Sequence, residues 1–214
     1  MTLVERPQTA AEELANVLSH GLGLLLAIAS LPVLVVFASR HGTTSSVIGA
    51  SVFSATMILL YFASALFHAL PPGRAKRFCN TLDHVAIYLF IAGSYTPFAL
   101  GVLPGSWRWT VLGLVWALAF VGGVLKVTQR LNNLLLSTAL YVALGWLVVI
   151  AAGPLMRGLS PAGLAWLIAG GLAYSVGVVF FLLDSRLRFG HFVWHLFVLT
   201  GSTCHFCCAL WHIR

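Results

Sequence analysis

Charged side chains are scarce in this chain. Only 8% of its 214 residues are charged and only five are acidic, whereas 60% are hydrophobic and the mean hydropathy is +0.97. A soluble domain carries roughly a quarter charged residues, so this chain has too few to cover a surface exposed to water. The composition excludes a soluble protein and predicts a protein integral to the cell membrane, with several membrane passes.

Other patterns that the sequence lacks narrow the class further. The segment from Met1 to Glu13 contains one basic residue, Arg6, and no signal-peptide pattern, so we expect the first apolar segment to remain as a membrane span. The four cysteines give no disulfide framework, since three of them lie in the last apolar segment. Alternating strands and internal repeats are also lacking, which argues against a β-barrel and a two-half transporter.

The net charge of +7 does not indicate a nucleic-acid partner, because the basic residues occur singly or in threes between apolar segments. In a membrane protein such residues set orientation. Eight Lys and Arg residues lie in connections on the side of the N-terminus and four lie on the opposite side. The positive-inside rule therefore predicts a cytoplasmic N-terminus and an external C-terminus.

Long apolar segments of about 20 residues dominate the chain, and each is long enough to span a bilayer as a helix. Because every backbone polar group must be satisfied inside the bilayer, the sequence predicts an all-α bundle of seven transmembrane helices. We expect one transmembrane domain, residues 14–213, after a short cytoplasmic segment, residues 1–13. The predicted spans are Leu14–Ser39, Ser46–Leu70, Leu82–Leu103, Trp107–Val127, Leu134–Gly153, Ala162–Leu183 and His191–Ile213.

Three histidines are predicted to meet at the cytoplasmic face. His191 and His195 are four residues apart, so both imidazoles project from one face of the seventh helix. With His68, at the end of the second helix, they form a candidate Zn²⁺ site whose fourth tetrahedral position stays open for water. Asp83, expected at the start of the third helix, is a candidate to orient this water or transfer its proton. Ser64, one turn before His68, is a candidate to stabilise an oxyanion.

His20 and Asn16, near the start of the first helix, are predicted to lie at the same depth and to support the ligands from outside the ligand set. The same residues also fit a second interpretation, in which histidines form hydrogen bonds between membrane helices without a metal. A His-x-x-x-His pair arises readily by chance in a chain with eight histidines. Spacing alone does not distinguish the two interpretations.

Four sequence blocks carry a resemblance to a known family. They are Glu13 to Gly21 (ELANVLSHG), Ser64 to His68 (SALFH), Asp83 to Pro97 (DHVAIYLFIAGSYTP) and His191 to His195 (HFVWH). Together they resemble the hemolysin III family, the bacterial branch of the progestin and adiponectin receptor superfamily. The resemblance extends from about Glu13 to His205. It implies a seven-helix protein with zinc near the inner leaflet, held by His68, His191 and His195, with Asp83 contacting the zinc water.

The resemblance also suggests a function. Relatives in the wider superfamily resemble membrane hydrolases that cleave lipid amides such as ceramide, which implies membrane lipid as the substrate or ligand. The first hypothesis is therefore a zinc-dependent, ceramidase-like hydrolase of a lipid amide or ester, involved in membrane homeostasis. The alternatives are a pore-forming cytolysin and a non-catalytic sensor of membrane state that zinc stabilises. The residues do not decide whether the chain is an enzyme, and they predict no oligomeric state.

Overall fold

The computed structural model describes residues 6–212, and every regular element in this range is helical. Seven helical segments are long and apolar enough to cross a membrane, which confirms the predicted seven-helix bundle. The helices are α1 (Ala10–His41), α2 (Thr44–Ala69), α3 (Arg74–Gly101), α4 (Gly105–Val127), α5 (Leu134–Trp146), α6 (Ala152–Gly158), α7 (Pro161–Leu182) and α8 (Gly190–His212).

Two parts of the sequence prediction stay untested by the structure. The predicted end of the last span at Ile213 lies outside the described residues, as does Arg214, which entered the charge count. The direction in which the chain crosses the membrane stays a prediction, since it depends on the distribution of charge alone.

A capping box begins α1. The Thr9 hydroxyl accepts a hydrogen bond from the backbone N–H of Glu12 at 3.3 Å, and the Glu12 carboxylate accepts one from the Thr9 N–H at 2.9 Å. This reciprocal pair satisfies backbone donors that the first helical turn leaves free. It also fixes the first turn of α1, which carries two adjacent glutamates, at the histidine-bearing end of the bundle.

The third span begins earlier than the apolar pattern predicts. α3 starts at Arg74 rather than at Leu82, because its first two turns are polar and the hydropathy pattern detects only the part suited to hydrocarbon. Asp83 therefore lies about two and a half turns inside α3, and its predicted position at a helix start is wrong. For the same reason α1 begins at Ala10 rather than at Leu14.

The fifth span is not the single helix that was predicted over Leu134–Gly153. α5 ends at Trp146, and a 3₁₀ turn, Leu147–Ala151, joins it to α6. The hydroxyl of Tyr95, from α3, lies 2.9 Å from the Leu144 carbonyl and accepts a hydrogen bond from the Val148 N–H at 2.8 Å. A side chain thus satisfies backbone groups at the interruption, which is what a break at membrane depth requires.

The helices form a ring in chain order, which α8 closes by packing against α1. α3 is the most buried span, because 67% of its most apolar stretch of 18 residues is buried inside the protein. A cavity of about 980 Å³ lies within the ring, between α2, α3 and α8 on one side and α5, α6 and α7 on the other. The histidine-bearing ends of α2 and α8 open into it.

Candidate metal centre

Three histidines meet at one end of the bundle. His68 is the second-last residue of α2, and His191 and His195 lie in the first two turns of α8. The ring centroid of His68 is 5.0 Å from that of His191 and 5.1 Å from that of His195, and the last two are 4.7 Å apart. The structure therefore brings together the three residues that the sequence pattern singled out.

Ser19, on α1, determines which nitrogen of His195 carries the proton. The Ser19 hydroxyl lies 2.9 Å from the backbone carbonyl of Asn16, which can only accept, so the hydroxyl proton is donated there. The Ser19 oxygen is also 3.0 Å from Nδ1 of His195. Because its own proton is already used, this oxygen accepts from Nδ1–H. Nε2 of His195 is therefore the unprotonated nitrogen, the form of imidazole nitrogen that binds a metal.

Two carboxylates act in the same way on the other histidines. Nδ1 of His68 donates to Glu13 Oε2 at 2.7 Å, and Nδ1 of His191 donates to Asp184 Oδ2 at 3.0 Å. The amide nitrogen of Asn16 also approaches Nδ1 of His68, but at 3.4 Å it is a weaker contact than the short bond to a carboxylate. All three rings thus carry the proton on Nδ1 and leave the Nε2 electron pair free.

These nitrogens can hold a metal ion. One ligand atom from each of the three histidines lies within 4.8 Å of the other two, so small ring movements bring all three onto one ion. His68 and His195 are buried, at 4% and 1% exposure. Within residues 6–212, Nε2 of His68 has no hydrogen-bond partner, and a buried nitrogen left unsatisfied is unfavourable. Each of the three imidazoles is held by a hydrogen bond at Nδ1, the ring nitrogen that it does not offer to a metal. Histidine ligands in protein metal sites are usually held in this way.

Asp83 and Ser64 line the cavity beside the histidines. The Asp83 carboxylate interacts electrostatically with His191 and adjoins the Ser64 side chain. Ser64 is 1% exposed, and its hydroxyl forms no well-aligned hydrogen bond with any residue that the structure describes. It lies beside the Asp83 carboxylate at the wall of the cavity.

The two supporting residues predicted from the sequence both contact histidines of the candidate metal site. The His20 ring stacks on His195, with centroids 3.4 Å apart and planes 9° apart, and meets Tyr61 edge-on at 5.0 Å. Asn16 is fully buried, and its amide nitrogen lies 2.5 Å from the side-chain oxygen of Gln8. His20 therefore packs against His195, and Asn16 lies against His68.

Sequence reasoning missed the two carboxylates that hold the histidines, Glu13 and Asp184. The signal that could have found them is their scarcity, because the chain has only five acidic residues. A carboxylate in so apolar a chain needs a partner, and a nearby imidazole N–H is a suitable one.

Glu12 connects α1 to the start of α8. Phe189, just before α8, has φ of 58°, a left-handed conformation that is uncommon for residues other than glycine. Its backbone N–H donates to Glu12 Oε1 at 2.9 Å, and the other Glu12 oxygen accepts from Arg6 at 2.9 Å. Such a backbone conformation persists only where the surroundings hold it. The first turn of α1 thus fixes the chain two residues before His191.

The cavity changes character along its length. At the histidine end it is lined by polar side chains, including Glu13, Lys76 and Asp83. Farther from the histidines along α3 and α7 its wall is mostly apolar and aromatic, with residues such as Phe98 and Leu167. The arrangement offers reactive polar groups at one end and space for a hydrocarbon chain beyond them.

The fold and the site define an integral membrane protein of seven helices with a buried three-histidine group that can hold a metal ion. Comparison with known sequences identifies the family. The model of the family described as Haemolysin-III related matches residues 8–206, so this chain belongs to that family.

Several relatives match over most of the chain. Hemolysin-3 of Bacillus cereus is 43% identical over 206 residues, which cover 96% of this chain and 94% of the relative. The Hemolysin-3 homolog of Bacillus subtilis (strain 168) is 42% identical over 204 residues, 95% of each chain. The human monocyte to macrophage differentiation factor is 29% identical over 175 residues, 77% of this chain and 69% of the relative. No solved structure matches.

Proposed function

We propose that this protein is a zinc-dependent membrane hydrolase that cleaves an amide bond of a lipid such as ceramide, or a lipid ester bond. The observation that carries this proposal is the opening of the three-histidine group, together with Asp83 and Ser64, into one largely apolar cavity. A site that only stabilised the fold would not need a cavity beside it, whereas a catalytic metal site keeps one position accessible.

Zinc suits this donor set best. Neutral imidazole nitrogen is a common zinc ligand, and three histidines without a thiolate are typical of catalytic rather than structural zinc sites. When bound, such an ion supplies Lewis acidity, which polarises a carbonyl group and makes water a better nucleophile at neutral pH. His68, His191 and His195 would hold it.

The other residues of the site have complementary roles in the proposed reaction. Asp83 accepts a proton from the attacking water while the water oxygen forms a bond to the carbonyl carbon. Ser64 donates a hydrogen bond to the carbonyl oxygen as negative charge develops on it. When the bond to the leaving nitrogen or oxygen breaks, Asp83 returns the proton to that atom. The products are a carboxylic acid and an amine or alcohol.

The shape of the cavity supports a lipid substrate. Its volume of about 980 Å³ is at the upper end of the usual range for ligand pockets, and its apolar wall suits an acyl chain. The scissile carbonyl would then lie at the polar end, beside Ser64. We further propose that this end faces the cytoplasm, in accordance with the charge distribution of the connections.

The proposal is tested by hydrolysis assays on the purified, zinc-loaded protein in nanodiscs. A panel of ceramides, other N-acyl lipids and lipid esters should include at least one that is cleaved. Asp83→Asn should reduce turnover by about 100-fold or more, as expected for loss of a general base, and His68→Ala should abolish it. Turnover that survives both substitutions would contradict the proposal, and so would its absence from a zinc-loaded protein across the panel.

The second candidate function is lysis of membranes. It is favoured by the name of the Bacillus cereus relative, Hemolysin-3, at 43% identity. Purified protein added to dye-filled liposomes should release dye if this function is direct, and His191→Ala should release it equally if the metal plays no part. Zinc binding with neither turnover nor dye release would instead favour the sensor of membrane state.

A further inference from the structure

Lys76 holds the end of α2 at the residue next to His68. Its ammonium donates to the backbone carbonyls of Phe67 and Leu70, both at 3.1 Å, and lies 4.7 Å from the Phe67 ring centroid. The last carbonyls of a helix have no partner within the helix, so a lysine at this position satisfies them. Because Lys76 is the third residue of α3, this contact ties the start of α3 to the end of α2.

Glu13 joins the same group from α1. One of its oxygens accepts a hydrogen bond from Lys76 at 2.8 Å, and the other accepts from Nδ1 of His68 at 2.7 Å. A single carboxylate therefore connects three helices. Since each oxygen has its own partner, the carboxylate has little freedom to rotate away from His68.

The position of His68 explains why such a tether is needed. It lies one residue before the end of α2, where helices usually fray, whereas His191 and His195 share the first turns of α8. Without the hydrogen bond from its Nδ1 to Glu13, the His68 ring can rotate about its side-chain bonds and can carry its proton on Nε2. Either change removes the electron pair that it would offer to an ion.

We propose that Glu13 is a positioning residue for the metal, and that Lys76 holds its carboxylate in place. Glu13 accepts a hydrogen bond from the Nδ1–H of His68 and thereby presents Nε2 of His68 to the ion. This inference rests on the metal-binding part of the proposed function and not on the identity of the substrate. Glu13 would not itself touch the metal ion or the carbonyl group of a substrate in the cavity.

Glu13→Gln tests the role with a change of a few atoms. The amide keeps the size of the side chain but loses the charge that both Lys76 and His68 contact. Zinc affinity, measured on the purified full chain by competition with a chromogenic chelator, should fall about 10- to 100-fold, the usual effect of removing a partner of a ligand. Lys76→Met should lower it less, by a few-fold, because Lys76 contacts Glu13 and the end of α2 but not the His68 ring.

Thr43→Ala is the control. Thr43 caps α2 at the end opposite His68, and its hydroxyl accepts a hydrogen bond from the Ser46 N–H at 3.3 Å rather than contacting a histidine ring. It should lower thermal stability through loss of the cap while leaving zinc affinity within about three-fold, since no candidate ligand loses its partner. Equal losses of affinity in the two variants would show that general packing, not the bond to His68, is responsible.

A second measurement separates positioning from stability. Zinc-edge X-ray absorption should count three imidazoles in the wild type and fewer, or more disordered, imidazoles in Glu13→Gln, whereas Glu13→Asp should restore part of the signal. Unchanged affinity and an unchanged spectrum in Glu13→Gln would overturn the inference, as would a wild type that binds no zinc. A zinc-loaded wild type without turnover would refute the hydrolase and leave the role of Glu13 standing.

Discussion

The two sides of the cavity use buried polar groups differently. On the side of α1, α2 and α8, hydrogen bonds run from one helix to another and end on metal-ligand candidates, as in the contact between Ser19 and His195. On the side of α5, α6 and α7, the Tyr95 hydroxyl bonds to the backbone of the interrupted fifth span. The contacts on the first side hold side chains in position, and the Tyr95 contact satisfies a backbone that leaves the α-helical conformation.

The fit around single glycines varies along the bundle. A side chain added at Gly93, in α3, would overlap Thr56 of α2, and one added at Gly170, in α7, would overlap His205 of α8. One added at Gly171, which lines the cavity, would meet nothing within 4 Å. Packing is therefore tight at these helix contacts, whereas the cavity wall at Gly171 leaves room for a bound chain.

The largest effect is expected from loss of a ligand. His191→Ala removes one of three nitrogens, so zinc affinity should fall by more than about 100-fold, beyond the loss expected for a supporting residue. His41→Ala, at the opposite end of α1, is the control and should bind zinc as the wild type does. Equal affinity in the two variants would remove His191 from the site.

Removal of the metal should lower the thermal stability of the wild type. At a free zinc concentration of about 100 times Kd, binding stabilises the folded state by about 2.7 kcal/mol. Chelation should therefore lower the Tm of the wild type by about 5 °C or more. His195→Ala should show no zinc-dependent shift in Tm, and a shift as large as that of the wild type would contradict the assigned ligand.

The difference in packing is tested by two glycine substitutions. Gly93→Ala should destabilise the protein by about 1–3 kcal/mol, because Thr56 and its helix must move to make room. Gly171→Ala should be neutral or slightly stabilising. Unfolding in a mixed detergent measures both, and equal effects would mean that the positions of Gly93 and Gly171 do not differ in packing.

The smallest effect is expected at the interrupted span. Tyr95→Phe leaves the Val148 N–H without its partner, and hydrogen bonds in membrane proteins contribute about 1 kcal/mol on average. Stability should fall by about this amount, while zinc affinity should stay unchanged. A loss of zinc affinity in Tyr95→Phe would show that the two sides of the cavity are coupled.

The sequence predicted the helical class and singled out the histidines because each depends on a local pattern. Seven apolar segments define the spans, and the i, i+4 spacing of His191 and His195 places both on one helix face. Asp83 was misplaced at a helix start because polar residues continue α3 beyond its apolar part. Hydropathy detects the part of a helix that lies in hydrocarbon, and not the polar turns that extend the helix beyond it.

The remaining features depend on contacts between distant parts of the chain. The segment Leu147–Ala151 is as apolar as its neighbours, so no local pattern indicates that it leaves the α-helical conformation. Glu13 and His68 are 55 positions apart, and Asp184 lies in a connection, so their pairing becomes visible only when the helices are assembled. A sequence yields the ligands more readily than the residues that orient them.

The most direct test of the central claim is the metal content and ligand environment of the purified full chain. We predict one zinc ion per chain after zinc loading, with an X-ray absorption spectrum of three imidazole nitrogens that is lost in the His68→Ala, His191→Ala and His195→Ala variants. A metal-replete preparation without stoichiometric zinc, or a spectrum that persists in these variants, would contradict the account.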